Sequence, residues 1–145
     1  MFEVSLLSEE DIEKAYQIEK EVNLSPWSED NFFSSFAVGH HSLSCKSNGK
    51  LVGFLIYSVV GKECHLLNIS VRKTNQRSGA GKLLMITMFK QIDAIGCKKV
   101  FLEVRSKNIV ALNFYKGFGF KENALRIGYY SGEEKDDAIL MSLDI

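Results

Sequence analysis

The stretch of sequence that decides the fold is Gln76-Arg77-Ser78-Gly79-Ala80-Gly81-Lys82, which follows an apolar run ending at Val71 and precedes a helical pattern over about residues 83–95. Gly79 and Gly81 lack a Cβ atom, so the backbone can approach a bound group closely. The first N–H groups of the helix have no internal partners, and with the helix dipole they favour an anion such as phosphate. The stretch predicts either a phosphate-binding loop or an ordinary strand-to-helix turn with two glycines.

The charge around this loop has one sign, although the chain has a formal net charge of +0. Residues 64–92 contain no Asp or Glu but include Arg72, Lys73, Arg77, Lys82 and Lys90. Spacing excludes two other phosphate loops, because a Walker loop needs glycine where Gln76 stands and the dinucleotide fingerprint needs a third glycine where Leu84 stands. The near-zero net charge gives no support for direct nucleic-acid binding.

The length and composition predict one domain, residues 1–145. A chain of 145 residues with 46% hydrophobic residues has enough apolar material for a core. No apolar stretch approaches ~18–20 residues and no signal peptide precedes the first strand, so we expect no membrane span and a cytoplasmic protein. The scattered spacing of Cys45, Cys64 and Cys97 argues against a disulfide framework or a zinc site. We expect buried thiols and no metal.

The N-terminal third predicts a strand over residues 2–7 and two helices. Ser8 is a candidate N-cap for a helix that runs to about residue 22, in which Glu19 falls at the spacing of the apolar residues. Ser28 begins a second, short helix, and Trp27 directly precedes it as a packing residue or as a substrate contact. The apolar face of the second helix is predicted to consist of Phe32, Phe33 and Phe36.

The middle of the chain predicts an antiparallel meander followed by a crossover. Residues 41–47 and 51–60 are strand-like runs joined by Asn48-Gly49, the dipeptide that fits a type I′ hairpin. A third run, residues 63–71, leads into the glycine loop. The strand predicted at residues 99–104 must then lie parallel to it, because strand, helix and strand form one right-handed crossover.

The C-terminal part predicts a short helix and two more strands. Asn108 is a candidate N-cap for a helix over residues 109–116. Strands follow at about residues 120–127 and 137–143, and the acidic segment 131–136 between them is interpreted as a solvated turn. The order βααβββαβαββ predicts a mixed α/β sandwich with one central parallel strand pair.

Two polar residues in apolar surroundings are candidates for chemistry. Glu103 ends the buried-type strand, where we expect desolvation to disfavour its charged form and suit it to accept a proton near neutral pH. Tyr115 follows Asn108 by seven residues, which predicts the same helix face and a phenol that could reach a reaction centre. Alternatively, Glu103 pairs with a base such as Arg105 or Arg72, and Tyr115 belongs to the core.

Four motifs occur in order and at the spacings of one enzyme family. They are Leu67-Asn68-Ile69-Ser70-Val71, Gln-Arg-x-Gly-x-Gly-Lys, Leu102-Glu103-Val104-Arg105-x-x-Asn108 and Ala111-Leu112-x-Phe114-Tyr115-x-x-x-Gly119-Phe120. Together they resemble the GCN5-related N-acetyltransferases (GNAT). A closer resemblance, to the branch that acetylates the N-terminal alanine of bacterial ribosomal proteins, is carried by Pro26-Trp27-Ser28, Glu103, Arg126-x-x-Tyr129-Tyr130 and Asp137-Ala138-Ile139-x-Met141.

The resemblance implies a GNAT fold and acetyl-CoA as the acetyl donor. It implies that backbone groups of Ile69, Ser70 and Val71 meet the pantetheine and the acetyl carbonyl. Asn108 would contact the cofactor through its side chain. The pyrophosphate would be held by Arg77, Ser78, Gly79, Ala80, Gly81 and Lys82.

The resemblance also implies roles at the reaction centre. Glu103 would be the general base and Tyr115 the proton donor to the departing thiolate. The acceptor would be the N-terminal peptide of a ribosomal protein, bound with the help of Trp27, Tyr129 and Tyr130. Two alternatives stay open: an acetyltransferase of other protein N-termini or of a small amine, and a coenzyme A-binding module without catalysis.

Overall fold

The computed structural model describes residues 1–131 and 135–145. Short 3-10 turns at Glu9–Asp11 and Lys73–Asn75 precede the first and third helices. The elements are β1 Phe2–Leu6, α1 Ile12–Val22, α2 Glu29–Ala37, β2 His41–Ser47, β3 Lys50–Val60, β4 Glu63–Val71, α3 Ala80–Ala94, β5 Lys99–Arg105, α4 Ile109–Gly117, β6 Lys121–Tyr130 and β7 Asp136–Asp144. The predicted order βααβββαβαββ is confirmed.

The seven strands form one sheet in the order β1-β2-β3-β4-β5-β7-β6. Every neighbouring pair is antiparallel except β4 and β5. The parallel ladder is short: it begins at Glu63 opposite Lys99 and ends at His65 opposite Phe101. Beyond it the two strands diverge. Residues 66–71 and 102–105 therefore bound an opening in the middle of the sheet, called here the β4–β5 cleft.

Two apolar clusters cover the two faces of the sheet. The larger lies under α3 and α4 and includes Leu84, Met88 and Leu112 packed against strand residues of β2 to β5 and β7. The smaller lies under α1 and α2 and centres on Phe32 and Phe54, whose rings meet edge to face at 5.3 Å. Helices α3 and α4 thus lie on one face of the sheet, and α1 and α2 lie on the other.

A β-bulge in β4 changes which side chains face each layer. Leu66 and Asn68 pair with the consecutive residues Tyr57 and Ile56, so Leu67 has no opposing residue. An extra residue in one strand reverses the alternation of side chains beyond it. Leu66 therefore packs in the larger cluster, whereas Asn68 lies on the face of α1.

Most predicted elements are confirmed, and several details are wrong. Ser8 caps the 3-10 turn Glu9–Asp11, while α1 begins at Ile12 after Asp11. The hairpin turn has positive φ at both Asn48 (51°) and Gly49 (79°), as a type I′ turn requires. Helix α3 begins at Ala80, three residues before the predicted start, because the Gly-Lys dipeptide belongs to its first turn. Of the predicted apolar face of α2 only Phe32 is buried, while Phe33 and Phe36 are 43% and 37% exposed.

The three cysteines are buried free thiols, as predicted. Burial raises the pKa of Cys64 to about 12, with a smaller effect of Cys97. Within residues 1–131 and 135–145, no group of three or more His, Cys, Asp or Glu side chains is placed to hold a metal ion. Over the same ranges, no helix combines the length and the apolar character that crossing a membrane requires.

Candidate active site

The glycine loop presents free backbone donors at the start of α3. Gly79 is the N-cap with φ of 94°, a left-handed conformation that glycine adopts without strain. Arg77 also has positive φ, 62°. The first helical hydrogen bond runs from the N–H of Leu83 to the carbonyl of Gly79 at 2.9 Å. The N–H groups of the three residues between them precede that bond and are available to an anion.

The loop is held by its own polar groups. The Ser78 hydroxyl donates to the carbonyl of Asn75, and the Gln76 amide donates to the carbonyl of Val71 at 3.0 Å. The side chains of Arg77 and Lys82 are exposed. The predicted pyrophosphate residues therefore divide into two groups: Ser78 shapes the loop, while Arg77 and Lys82 supply positive charge beside the free N–H groups.

Gly81 lies where the glycine loop meets the β4–β5 cleft. A Cβ atom at Gly81 would stand 3.4 Å from the ring of Phe114 on α4 and 3.8 Å from a methyl group of Val71 at the end of β4. Gly81 therefore lies between α4 and the end of β4, where a Cβ atom would make ordinary contacts with both side chains. The site thus continues from the loop toward the cleft between β4 and α4.

The predicted strand-end residues of β4 divide by face. Ile69 and Val71 are partly buried and pack against the larger cluster. The Ser70 hydroxyl donates to the Glu19 carboxylate on α1 at 2.9 Å. Because the ladder to β5 has ended before these residues, backbone groups on that edge of β4 meet no strand in the described part of the chain. Among these groups, the Val71 carbonyl is already used by the Gln76 amide.

Asn108 is confirmed as the N-cap of α4. Its side-chain oxygen accepts from the N–H of Ala111 at 3.1 Å. Asn108 is exposed, whereas Tyr115 is buried; the predicted shared helix face stays a prediction. Its Oδ1 atom is used by the cap, so its amide nitrogen is the group that it can offer to a cofactor.

Tyr115 is buried in the aromatic part of the larger cluster. It is 8% exposed, and its ring lies 5.5 Å from Phe114 and 5.9 Å from Phe120, both in edge-to-face geometry. Burial raises the pKa of Tyr115 strongly, and the nearby Tyr130 raises it further. The phenol therefore stays protonated at neutral pH, which is the form a proton donor needs.

Glu103 is exposed rather than buried, so the predicted burial is wrong. Its side chain is 36% exposed and its carboxylate lies 3.5 Å from the guanidinium of Arg126 on β6. Beyond the paired part of β5, one edge of the strand faces the cleft rather than another strand, which leaves the carboxylate accessible. The ion-pair partner is neither of the predicted ones, Arg105 or Arg72. No alternation pattern in β5 could have identified Arg126, because it comes from a different strand.

Two tyrosines of β6 surround Glu103. The Tyr129 hydroxyl forms a hydrogen bond with the Glu103 carboxylate, and this bond raises the pKa of Tyr129. Tyr129 and Tyr130 meet at 5.1 Å, nearly perpendicular, and the Arg126 guanidinium lies 4.4 Å above the Tyr129 ring. Burial raises the pKa of Tyr130, and the Glu103 charge raises it further.

Tyr130 and the two predicted catalytic residues affect one another through their charges. It interacts electrostatically with Glu103 and with Tyr115. The β5 neighbours of Glu103, Leu102 and Val104, pack in the same cluster as Tyr115. Because side chains alternate along a strand, Glu103 leaves the sheet on the other face. The carboxylate and the phenol therefore lie on opposite faces of the sheet.

The acidic segment 131–136 is only partly described, since residues 132–134 lie outside the described chain. Asp136 contradicts the solvated-turn interpretation because it is buried. It accepts hydrogen bonds from the Ser106 hydroxyl at 2.6 Å and the Lys107 N–H at 3.1 Å. The bond from Ser106 holds the pKa of Asp136 below its usual range. Asp136 therefore ties β7 to the segment between β5 and α4.

Trp27 is half-buried and packs on the smaller cluster, with its ring 5.2 Å from that of Phe32. The packing role is observed, and the substrate contact stays a prediction. Its backbone N–H donates to the carboxylate of Glu19 at 3.1 Å. Glu19 was not predicted as a site residue; its one sequence signal is a carboxylate at the apolar spacing of α1.

Comparison with known proteins identifies the class of enzyme. The model of the acetyltransferase (GNAT) family matches residues 9–120. The chain therefore belongs to the GNAT family, and it is an acetyl-CoA-dependent N-acetyltransferase. The GNAT fold expected from the sequence motifs is confirmed.

The relatives narrow the class further. The ribosomal protein bS18-alanine N-acetyltransferase of Salmonella typhimurium is 34% identical over 143 residues, covering 98% of this chain and 97% of that protein. The protein of the same name from Escherichia coli is 35% identical over 143 residues, which cover 98% of this chain and 97% of that protein. The crystal structure of the ribosomal-protein-S18-alanine N-acetyltransferase from Escherichia coli matches with a TM-score of 0.93, covering 100% of this chain and 94% of that chain. The predicted resemblance to that branch is confirmed.

Proposed function

We propose that this N-acetyltransferase acetylates the N-terminal α-amine of a ribosomal protein, with an N-terminal alanine as the acceptor residue and bS18 as the first candidate. The observation that carries the proposal is that the β4–β5 ladder ends at His65 and Phe101, so that the glycine loop after β4 and Glu103 on β5 follow the point where the two strands separate. Relatives that carry this activity in their names align over nearly the full length of the chain.

The donor site is formed by the glycine loop and the free edge of β4. The N–H groups of Ala80, Gly81 and Lys82 suit the pyrophosphate of acetyl-CoA, and the exposed Arg77 and Lys82 side chains add opposite charge. The backbone of residues 69–71 suits the amide-containing pantetheine arm, because these groups lack a strand partner on the cleft side. Acetyl-CoA itself supplies the reactive thioester.

The acceptor chemistry assigns one proton step to each catalytic residue. A peptide α-amine has a pKa of ~7.7–8.0 and is partly protonated at neutral pH, so a base must take its proton before or during attack. Glu103 is exposed to the cleft and can accept that proton, directly or through one water. As the new C–N bond forms and the C–S bond breaks, Tyr115 donates its proton to the sulfur.

The wall on the acceptor side is supplied by Trp27, Tyr129 and Tyr130. The two tyrosines lie on β6 beside Glu103, and Trp27 lies on the segment between α1 and α2. The aromatic rings offer apolar surface, and the hydroxyl groups offer hydrogen bonds to a peptide backbone. We also infer that residues 1–145 act as one catalytic domain, because both apolar clusters share the single seven-stranded sheet.

A panel of acceptors tests the proposal. The purified protein is incubated with acetyl-CoA and with the N-terminal peptide of bS18, the same peptide with a formylated N-terminus, peptides with other first residues, and small amines. Thiol release and product mass are measured. We expect acetylation of the free alanine N-terminus and none of the formylated peptide. Faster acetylation of a small amine, or of a lysine side chain in the formylated peptide, overturns the proposal.

A further inference from the structure

Glu19 is a fully buried carboxylate on α1, with 0% exposure. It accepts hydrogen bonds from the Asn68 amide at 2.7 Å, the Ser70 hydroxyl at 2.9 Å and the Trp27 N–H at 3.1 Å. The Asn23 amide adds a longer contact of 3.4 Å. A charge in a dry environment needs such donors, because removing a carboxylate from water costs several kcal/mol per ion before compensation. Replacing Glu19 alone would leave several buried donors without a partner.

The groups that donate hydrogen bonds to Glu19 belong to two different parts of the candidate active site. Asn68 and Ser70 lie on β4 beyond its bulge, beside the strand edge that faces the cleft. The Trp27 N–H belongs to the segment between α1 and α2, residues 23–28, which carries a predicted substrate contact. The Glu19 side chain therefore joins β4, which borders the proposed acetyl-CoA site, to residues 23–28, which border the proposed peptide site. The bulge is what makes this possible, since it turns the polar residues of β4 toward α1.

The same segment is attached to the other side of the cleft. The Arg105 guanidinium on β5 donates to the Ser25 hydroxyl, and it also lies 4.3 Å above the ring of Tyr130. Asn23 holds the segment internally, because its side-chain oxygen accepts from the Ser25 N–H at 3.1 Å. Residues 23–28 thus extend from Glu19 and β4 on one side to β5 and Tyr130 on the other.

We propose that Glu19 is a positioning residue that holds residues 23–28 against β4 and so sets the width of the acceptor side of the cleft. The proposal rests on the proposed function for its kinetic part only. Glu19 touches neither reacting group and acts through the Trp27 backbone. Its loss displaces the peptide wall, while β4 stays in register through its ladder with β3.

The test compares Glu19→Gln with Glu13→Gln, a matched change at an exposed position of α1. Glutamine keeps the length of the side chain but has only one acceptor oxygen. Its NH₂ group would therefore face the N–H and O–H groups that now donate to the second oxygen of Glu19. Trp27 is the only tryptophan in the chain, so its fluorescence reports on residues 23–28 directly. We expect Glu19→Gln to shift the emission to longer wavelength and to increase acrylamide quenching, with no change in Glu13→Gln.

The kinetic part follows from the same displacement. We expect the KM for the peptide to rise by about tenfold, the equivalent of about one hydrogen bond to a charged group. Affinity for acetyl-CoA, measured by calorimetry, should stay within about twofold. Unchanged Trp27 fluorescence in folded Glu19→Gln refutes the attachment whatever the enzyme acetylates. A fluorescence change with an unchanged peptide KM refutes the positioning role.

A second variant covers the case in which Glu19→Gln does not fold. Asn68→Ser keeps the Glu19 carboxylate and shortens only one of the side chains that donate to it. It should shift the fluorescence and raise the peptide KM in the same directions as Glu19→Gln, but by smaller amounts. No change in either quantity overturns the proposal. If no peptide is acetylated by the wild-type chain, the proposed function fails, and the fluorescence comparison alone decides whether Glu19 holds the segment.

Discussion

The two halves of β4 and β5 differ although they belong to the same pair of strands. In the first half, Glu63 to His65 pair with Lys99 to Phe101, and the buried residues Cys64 and Val100 are opposite one another. In the second half the strands share no ladder, β4 carries a bulge, and β5 carries the exposed Glu103. In the first half the two strands bond to each other. In the second half they bond only to their outer neighbours, β3 and β7, and the edges that face each other share no ladder.

The proposed reaction centre lies in the second half, away from the paired core of the sheet. The paired half supplies stability, because both backbones are satisfied and the side chains are buried. The diverging half is supported from outside, by β3 on one side, by β7 on the other and by Glu19 beneath. Changes in the two halves should therefore separate activity from stability.

The largest effect on turnover is expected for Glu103→Gln in the diverging half. The change keeps shape but removes the proton acceptor, so turnover should fall by ~10²–10⁴ while affinity for acetyl-CoA is retained. The loss should shrink as pH rises, because the peptide amine then loses its proton unaided. Steady-state kinetics over a pH series measures this.

The matched control is Glu122→Gln, since Glu122 is also a surface glutamate in an ion pair, 2.8 Å from Lys116. It should leave turnover unchanged. Full activity of Glu103→Gln at neutral pH would show that Glu103 is structural and that another group or water takes the proton.

The next effect is expected for Gly81→Val at the mouth of the cleft. The added side chain points toward Phe114 and Val71, into the space that the donor needs. We expect the affinity for acetyl-CoA to fall by about tenfold or more while the fold survives. Calorimetric titration measures it against Gly117→Val, where a Cβ atom meets nothing within 4 Å. Equal affinities in the two variants would remove the glycine loop from the donor site.

A smaller effect on turnover is expected for Tyr115→Phe. The ring packing with Phe114 and Phe120 is kept, so only the proton donor is lost. A thiol with a pKa of ~8.5 needs modest help to leave, so we expect the maximal rate to fall by about tenfold with peptide binding retained. Burial raises the pKa of Tyr115. The wild-type rate should therefore not fall through ionisation of Tyr115 at any pH up to the ordinary pKa of a phenol.

The control for Tyr115→Phe is Tyr57→Phe, a buried tyrosine whose hydroxyl donates to Gln91 at 2.7 Å. It should cost about 1 kcal/mol of stability, the usual value of one hydrogen bond, and leave the rate unchanged. An unchanged maximal rate in Tyr115→Phe would make Tyr115 a packing residue.

The smallest effect on turnover is expected for Val100→Ala in the paired half. The change removes buried methyl groups under α3 and should lower the free energy of unfolding by about 2 kcal/mol. The maximal rate of the folded protein should be unchanged. Chemical denaturation and kinetics on the same preparation measure both quantities. A fall in the maximal rate comparable to that of Tyr115→Phe would show that the two halves of the strands are not independent.

Local signals explain why much of the fold could be predicted. The hairpin at Asn48-Gly49, the caps at Ser28 and Asn108 and the left-handed Gly79 each depend on a few neighbouring residues. Periodicity and turn chemistry act over the same short range. These signals located the glycine loop and the strand that carries Glu103 from the sequence alone.

Only the tertiary structure decided how far the parallel strands stay together and which groups meet across the cleft. The exposure of Glu103 follows from the divergence of β4 and β5. Its partner Arg126 lies on β6, which is separated from β5 in the sheet by β7. The buried Glu19 and the bulge at Leu67 also depend on packing between elements distant in sequence. The sequence by itself determined the elements, the loop and the residue types, because those depend on local conformational preference. Charge environment and strand register depend on neighbours that are brought together only when the chain folds.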